Sequence, residues 1–178
     1  MTATSAGSAA PPYDARAVSN FVLDLAEERG VGLTQMQLLK ILYFAHGWFL
    51  AGYKQPLVKQ NFEAWEYGPV IKVVRDSFKN FGKERITSRA ESFDIFTGEY
   101  SIVNPGLSEC HGAFVAQIFE AYHMRGAWEL SEMTHERGSP WDQIWNSREP
   151  IGRLGLRIPE EEIRRHFETL PARFPAIH

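Results

Sequence analysis

The sequence lacks the features that mark secreted, membrane-bound and nucleic-acid-binding proteins. Cys110 is the only cysteine in the 178 residues, so no internal disulfide can form, which suits a reducing cytoplasm. No apolar run reaches the roughly 18 residues of a membrane helix, and the N-terminus has no secretory signal pattern. The net charge of −3 predicts no overall attraction to nucleic acid. We therefore expect a soluble cytoplasmic protein.

Catalytic motifs are also missing. The sequence contains no phosphate-binding loop, no nucleophile elbow and no closed cluster of metal ligands. Cys110 and His111 suggest a thiol–imidazole pair, but adjacent residues on a helix point in different directions and do not face each other. We expect neither an enzyme nor a bound cofactor.

The composition favours one globular domain with a well-filled core, since 44% of the residues are hydrophobic and 13% aromatic. Residues 1–12 contain almost nothing that could be buried and are predicted to be a disordered tail. The domain is predicted to span residues 13–171, and residues 172–178 to form a C-terminal tail.

Helical spacing of apolar residues dominates the domain. Asp14 is the predicted cap of a first helix, and Thr34 the cap of a second that ends near Ala51 and is apolar almost all round. Further helices are predicted from about Leu107 to His123, from Trp128, at Ser139-Pro-Trp and after Pro159. The predicted fold class is mainly α, a single compact helical domain with a minor β element.

The β element includes the segment Phe62-Glu-Ala-Trp-Glu-Tyr-Gly-Pro-Val70. Its first residues alternate between apolar and polar, which predicts a short strand. Gly68 permits a turn, and Pro69 is expected at the first position of a helix ending near Phe81. A hairpin is predicted around Thr97-Gly98, because alternating residues lie on both sides of that turn.

Three segments, taken in order, carry a family resemblance: Leu33 to His46 with its "LLKILYFAH" helix, Phe62 to Val70, and Leu130 to Trp141. Together they resemble the Panacea antitoxin domain, a family that includes SocA-type antitoxins and phage-associated GepA-like proteins. The resemblance covers about residues 15 to 147. Its structural motif residues fall on Gly68, Pro69, His135, Pro140 and Trp141.

The resemblance implies an antitoxin of a toxin–antitoxin system, which neutralises a toxin by protein contact. A SocA-type member is a proteolytic adaptor that delivers a SocB-like toxin to the ClpXP protease. The expected partners are therefore a cognate toxin and the ClpX unfoldase. On this interpretation the chemistry belongs to the protease, and a terminal tail, Met1–Pro12 or Leu170–His178, tethers the unfoldase.

The aromatic residues suggest where a partner binds, because Trp and Tyr anchor many protein interfaces. At least half of the candidates are nevertheless expected to be core residues. The candidates are Trp65, Tyr67, Trp128, Trp141 and Trp145. The predicted toxin-binding residues are Trp65, Glu66, Tyr67, Lys72, Arg75 and Lys79.

Two alternatives remain open. Glu120/His123 and Glu132/His135 are Glu-x-x-His pairs, the spacing found in di-iron helical bundles. Such a metal-dependent enzyme would need further carboxylates, for which the candidates are Glu27, Glu63 and Glu66.

The other alternative is a DNA-binding regulator of its own operon. The basic residues that would carry it are interleaved with acidic residues, and the Leu33–Leu50 helix is too apolar to lie in a DNA groove. The basic residues concerned are Lys79, Lys83, Arg85 and Arg89, and then Arg148, Arg153, Arg157, Arg164 and Arg165.

Two histidines have structural interpretations. His46 lies on the apolar helix and is expected in the core or in a groove. His135 is expected to hold its turn by a hydrogen bond to a backbone carbonyl or to the corner near Tyr67.

Overall fold

The computed structural model describes residues 10–147, 155–171 and 174–178, and most of its regular elements are helices. The helices are α1 (Ala15–Glu28), α2 (Gln35–Tyr53), α3 (Lys72–Phe78), α4 (Glu109–Tyr122), α5 (Ala127–Thr134), α6 (Pro140–Trp145) and α7 (Glu160–Thr169). The strands are β1 (Glu63–Trp65), β2 (Gly68–Val70), β3 (Glu91–Phe93), β4 (Tyr100–Ile102) and β5 (Leu156–Arg157). The predicted mainly α domain with a minor β element is confirmed.

Helix α2 forms the centre of the domain. Its N-terminus is fixed by a capping box, in which Thr34 and Gln37 satisfy each other's backbone amides. Every residue from 38 to 50 is buried, because α2 packs against α1, α3, α4, α5, α7 and β2. A helix that is apolar all round requires such neighbours on every side.

The predicted starts of α1 and α6 also agree with the structure. Asp14 caps α1 by accepting a hydrogen bond from the amide of Arg16. Ser139 caps α6 in the same way, and Pro140 occupies the first turn of that helix. None of the helices in the described ranges combines the length and apolar character needed to cross a membrane.

The structure describes most of the predicted C-terminal tail but little of the predicted N-terminal tail. Residues 1–9 of the predicted N-terminal tail lie outside the described residues. In the segment predicted as a C-terminal tail, the hydroxyl of Tyr53 donates to the carbonyl of Ile177 at 2.8 Å and accepts from its amide at 2.9 Å. The ring of Phe174 lies 5.3 Å from that of Trp48. Residues 174–178 therefore lie against α2.

The expectation that Pro69 begins a helix is wrong. The residue lies in β2, an edge strand of an antiparallel sheet with the order β2-β1-β5. Gly68, with φ of +106°, turns the chain back to pair with β1, and an edge strand tolerates a residue without an N–H group. The helix begins only at Lys72, and a 3-10 turn (Lys79–Phe81) follows its end.

The predicted hairpin around Thr97-Gly98 is confirmed. Strands β3 and β4 pair antiparallel, with Phe93 opposite Tyr100 and Glu91 opposite Ile102. Strand β5 was not predicted; it joins the first sheet through β1, where Ala64 lies opposite Leu156.

Candidate protein-binding surface

The tight turn between β1 and β2 presents Glu66 and Tyr67 to solvent. Trp65 pairs with Gly68 across the two strands, so Glu66 and Tyr67 alone form the connection. The residue after the turn, Gly68, must be glycine for two reasons. Its φ lies in a region that other residues rarely adopt, and a Cβ there would lie 2.6 Å from Oγ1 of Thr134.

Two helices hold this turn from inside the domain. The hydroxyl of Ser131 on α5 donates to the carbonyl of Tyr67 at 2.9 Å. The ammonium group of Lys40 on α2 donates to the carbonyl of Pro69 at 3.1 Å. These two bonds fix the backbone of Tyr67 and of β2 against the helices.

Tyr67 forms an exposed aromatic pair with Trp128 of α5. The two rings meet edge to face, with centroids 5.5 Å apart and an angle of 87° between planes. Tyr67 is 51% exposed and Trp128 64% exposed. The sequence placed both among the aromatic candidates but did not bring them together, since their contact depends on how α5 packs beside the turn.

Trp65 has a different environment from its neighbour. Its side chain is partly buried, and its indole N–H donates to the carboxylate of Glu63 at 2.9 Å. The guanidinium of Arg75 lies 4.9 Å from the centre of the Trp65 ring, a cation–π contact. Trp65 thus links the turn to α3.

His135 and Trp141 support the turn from the other side. The indole N–H of Trp141 donates to the carbonyl of Trp65 at 2.7 Å, and the ring of His135 stacks on that of Trp141 at 3.8 Å. The expected hydrogen bond from the His135 ring is wrong: within the described ranges its Nε2 is buried without a partner. Burial, and secondarily the Lys40 charge, lowers the pKa of His135.

The charged residues predicted on α3 are mostly paired within the helix. Lys72 and Arg75 both contact the carboxylate of Asp76, at 2.6 Å and 3.1 Å. The hydrogen bond from Lys72 is the main cause of the lowered pKa of Asp76. Lys79 is exposed and forms no ion pair with the described residues.

Lys40 supports the turn from inside the domain, and the sequence analysis did not identify it. Its side chain is only 1% exposed, and burial lowers the pKa of Lys40 to about 7. The structure shows no carboxylate paired with it among the described residues; its hydrogen bond goes to the Pro69 carbonyl. The signal was available, because this lysine interrupts an apolar run on a helix predicted to be buried all round.

The remaining single-residue candidates have structural roles. His46 is buried, and its Nδ1 lies 3.4 Å from the amide of Val58; burial lowers the pKa of His46 to about 3. This agrees with the expected core position. Cys110 contacts Ser108 at 3.4 Å, whereas Nδ1 of His111 lies 2.8 Å from the hydroxyl of Tyr13.

The two Glu-x-x-His pairs do not assemble a metal site in the described part of the chain, where no group of three or more potential ligands occurs. Glu120 lies 3.6 Å from His123 but also pairs with Arg29 at 2.6 Å. In the second pair, His135 stacks on Trp141.

Among the described basic residues considered for DNA binding, Arg89, Arg164 and Arg165 form ion pairs, whereas Lys79, Lys83, Arg85 and Arg157 form none with the described residues. Arg89 contacts Asp24 and Glu27. The two arginines of α7, Arg164 and Arg165, share Glu161. Arg148 and Arg153 lie outside the described residues.

Comparison with known proteins identifies the family. The family model described as "Antitoxin SocA-like, Panacea domain" matches residues 38–142, more than half of the chain. Antitoxin SocA of Caulobacter vibrioides (strain NA1000 / CB15N) is 38% identical over 154 residues, which cover 86% of this chain and 82% of that protein. No solved structure gives a significant match. The chain belongs to the SocA-like antitoxin family with a Panacea domain.

Proposed function

We propose that this protein is an antitoxin that binds its cognate toxin through the surface around Tyr67 and Trp128 and neutralises it by direct contact. The observation that carries the proposal is the exposed ring pair on a turn fixed by α2 and α5. Both rings lie within the region that matches the family model. The predicted residues Trp65, Glu66, Tyr67, Lys72, Arg75 and Lys79 belong to this surface, and Trp128 is added to them.

Rigidity is the physical reason for choosing this surface. Aromatic side chains bury much area and lose little rotamer entropy on binding. Here the backbone on which Tyr67 stands is held by hydrogen bonds to its own carbonyl and to that of Pro69. A partner that covers the two rings therefore meets an element already in its bound conformation.

The charged residues of the proposed surface give it a basis for selectivity. Glu66 is exposed in the turn, and Lys79 is exposed beyond the end of α3. Charged groups at the rim of an interface mainly affect the association rate and the choice of partner. The proposal therefore assigns affinity to the ring pair and selectivity to these charges.

We further propose that the protein delivers the toxin to the ClpXP protease. The protein would act as a proteolytic adaptor that holds the toxin on its folded body and binds ClpX through a terminal segment. A tether of this kind raises the effective concentration at the second site. Because residues 174–178 contact α2, we assign the tether to residues 1–12.

The experiment is an affinity pull-down of the tagged full chain from its own cells, with the proteolytic site of ClpP inactivated. Recovery of one small protein together with ClpX supports the adaptor function. Recovery of the small protein alone supports neutralisation by masking. Recovery of neither contradicts the antitoxin proposal.

Two further readouts address the alternatives. Stoichiometric iron or manganese in the purified protein would favour the metal-dependent enzyme. A salt-dependent shift of the operator DNA would favour the regulator.

A further inference from the structure

The hairpin formed by β3 and β4 turns its apolar face outwards. Directly opposed residues of an antiparallel pair lie on the same face, and so do residues two apart on a strand. One face therefore carries Glu91, Phe93, Tyr100 and Ile102, and the other carries two serines. Phe93, Tyr100 and Ile102 are 51%, 69% and 59% exposed. A hairpin that served only to cover the core would have the opposite polarity.

The tip of the hairpin continues this apolar surface. Ile95 and Phe96 are the most exposed of its large side chains, and the ring of Phe96 is almost completely free. Asp94 fixes the tip, because its carboxylate accepts hydrogen bonds from the amides of Phe96 and Thr97 at 2.7 Å and 3.2 Å. We call the exposed apolar side chains of this segment the hairpin patch: Phe93, Ile95, Phe96, Tyr100 and Ile102.

Asn20 of α1 holds the base of the hairpin. Its side-chain amide donates to the carbonyls of Ala90 and Val103 at 3.0 Å and 2.8 Å, and its oxygen accepts from the amide of Ala90 at 2.7 Å. Asn20 is buried, so these bonds are shielded from water. The hairpin patch is thus presented on a fixed base.

The charge around the hairpin patch is of one sign. Residues 90–106 contain Glu91, Asp94 and Glu99 but no lysine or arginine. None of these three carboxylates forms an ion pair with the described residues. Two cations beside the hairpin pair with other carboxylates. Arg16, which donates to the backbone carbonyl of Glu91 at 3.3 Å, pairs with Asp14, and Arg89 pairs with two acidic residues of α1.

We propose that the hairpin patch docks into an apolar groove, bordered by lysine or arginine residues, on a partner protein. Exposed apolar groups favour a partner that removes them from water, and the unpaired carboxylates select one with basic residues at its rim. The patch is anchored on α1, whereas the Tyr67–Trp128 pair is anchored on α2 and α5. It is a separate docking element, and it does not depend on the proposed antitoxin function.

The experiment uses the full chain with Phe96 replaced by the photo-crosslinking residue p-benzoylphenylalanine, irradiated in its own cells. Met124, which is 80% exposed on the segment after α4, is replaced in the same way as a matched control. The protein captured only from position 96 is identified, purified and titrated against wild type, Phe93→Ser/Tyr100→Ser, and Glu91→Gln/Glu99→Gln. The substituted side chains are exposed, so each variant should keep the stability of the wild type, and thermal unfolding checks this.

The proposal predicts that Phe93→Ser/Tyr100→Ser weakens binding at least about tenfold, as expected for loss of interface anchors. Glu91→Gln/Glu99→Gln should lower the affinity by a few-fold and reduce its dependence on salt. A change on the other face, Ser92→Thr/Ser101→Thr, should leave binding unchanged.

Four results would overturn the proposal. They are capture of no protein specific to position 96, capture only of a second copy of this chain, binding that the charge variant does not alter, and binding of the patch to phosphatidylcholine vesicles instead of a protein.

Discussion

The ring of Trp128 stands perpendicular to that of Tyr67, with 5.5 Å between their centres and more than half of each side chain exposed. The two residues are distant in sequence and are brought together because Ser131, one turn after Trp128 on α5, binds the carbonyl of Tyr67. The contact is thus a product of the same packing that fixes the turn.

Replacing either ring is expected to weaken binding of the cognate toxin. Tyr67→Ala and Trp128→Ala should each cost more than about 1 kcal/mol of binding free energy, and the double variant should show a coupling of about 1 kcal/mol. Titration calorimetry with the purified toxin measures both values. Met124→Ala removes another exposed apolar side chain and should leave the affinity unchanged.

Stability must be measured on the same variants. Both side chains are largely exposed, so the free energy of unfolding should change by less than about 0.5 kcal/mol. Wild-type affinity in the double variant would show that the toxin binds elsewhere.

Gly68→Ala is expected to destabilise the fold strongly. The substitution combines a backbone with φ of +106° and a Cβ that would lie 2.6 Å and 2.7 Å from atoms of Thr134 and Lys40. Gly138 also has a positive φ, +81°, but has open space where a Cβ would lie. Gly138→Ala should therefore cost about 1 kcal/mol and Gly68→Ala about 3 kcal/mol or more, measured by urea unfolding. Equal costs would show that the contact with Thr134 and Lys40 is unimportant.

Lys40 predicts a pH dependence of stability. The unfolded chain keeps the proton up to the ordinary pKa of 10.5, whereas the folded protein releases it near 7. Between these values the unfolded state binds more protons, so the free energy of unfolding rises with pH. Relative to Lys40→Met, which cannot titrate, wild type should gain up to about 1.4 kcal/mol per pH unit above about pH 7. A difference that does not change with pH between about 7 and about 9 would mean that Lys40 is not buried in solution.

The bond from Trp141 to Trp65 is expected to stabilise the binding surface. Trp141→Phe keeps an aromatic ring beside His135 but leaves the carbonyl of Trp65 without its indole donor. The free energy of unfolding should fall by about 1 to 3 kcal/mol, whereas Trp128→Phe at an exposed position should change it little. Equal stability of the two variants would contradict the role assigned to this bond.

The helices were predictable because their signals are local. The caps Asp14, Thr34 and Ser139 and the apolar periodicity of α2 depend only on neighbouring residues. The second hairpin was predictable for the same reason, since a turn sequence lies between two alternating runs.

The errors and omissions come from contacts between distant segments. Whether Pro69 begins a helix or lies in a strand depends on its pairing with β1, and β5 forms only because the chain returns to that strand. His135 was assigned a hydrogen bond because its partner, the face of Trp141, could not be identified from spacing. The Tyr67–Trp128 contact likewise depends on the packing of α5.

The closed base of the hairpin has a consequence for engineering this chain. The amide of Val103 donates to the carbonyl of Ala90 at 3.0 Å, so the chain leaves the domain and returns to it at one point. The intervening segment contributes little to the core, and such sites tolerate insertion and replacement. The segment between Ala90 and Val103 should therefore accept a change of length or of surface residues while the helical scaffold stays the same. An epitope or fluorescent reporter grafted between Ala90 and Val103 would make use of the same property.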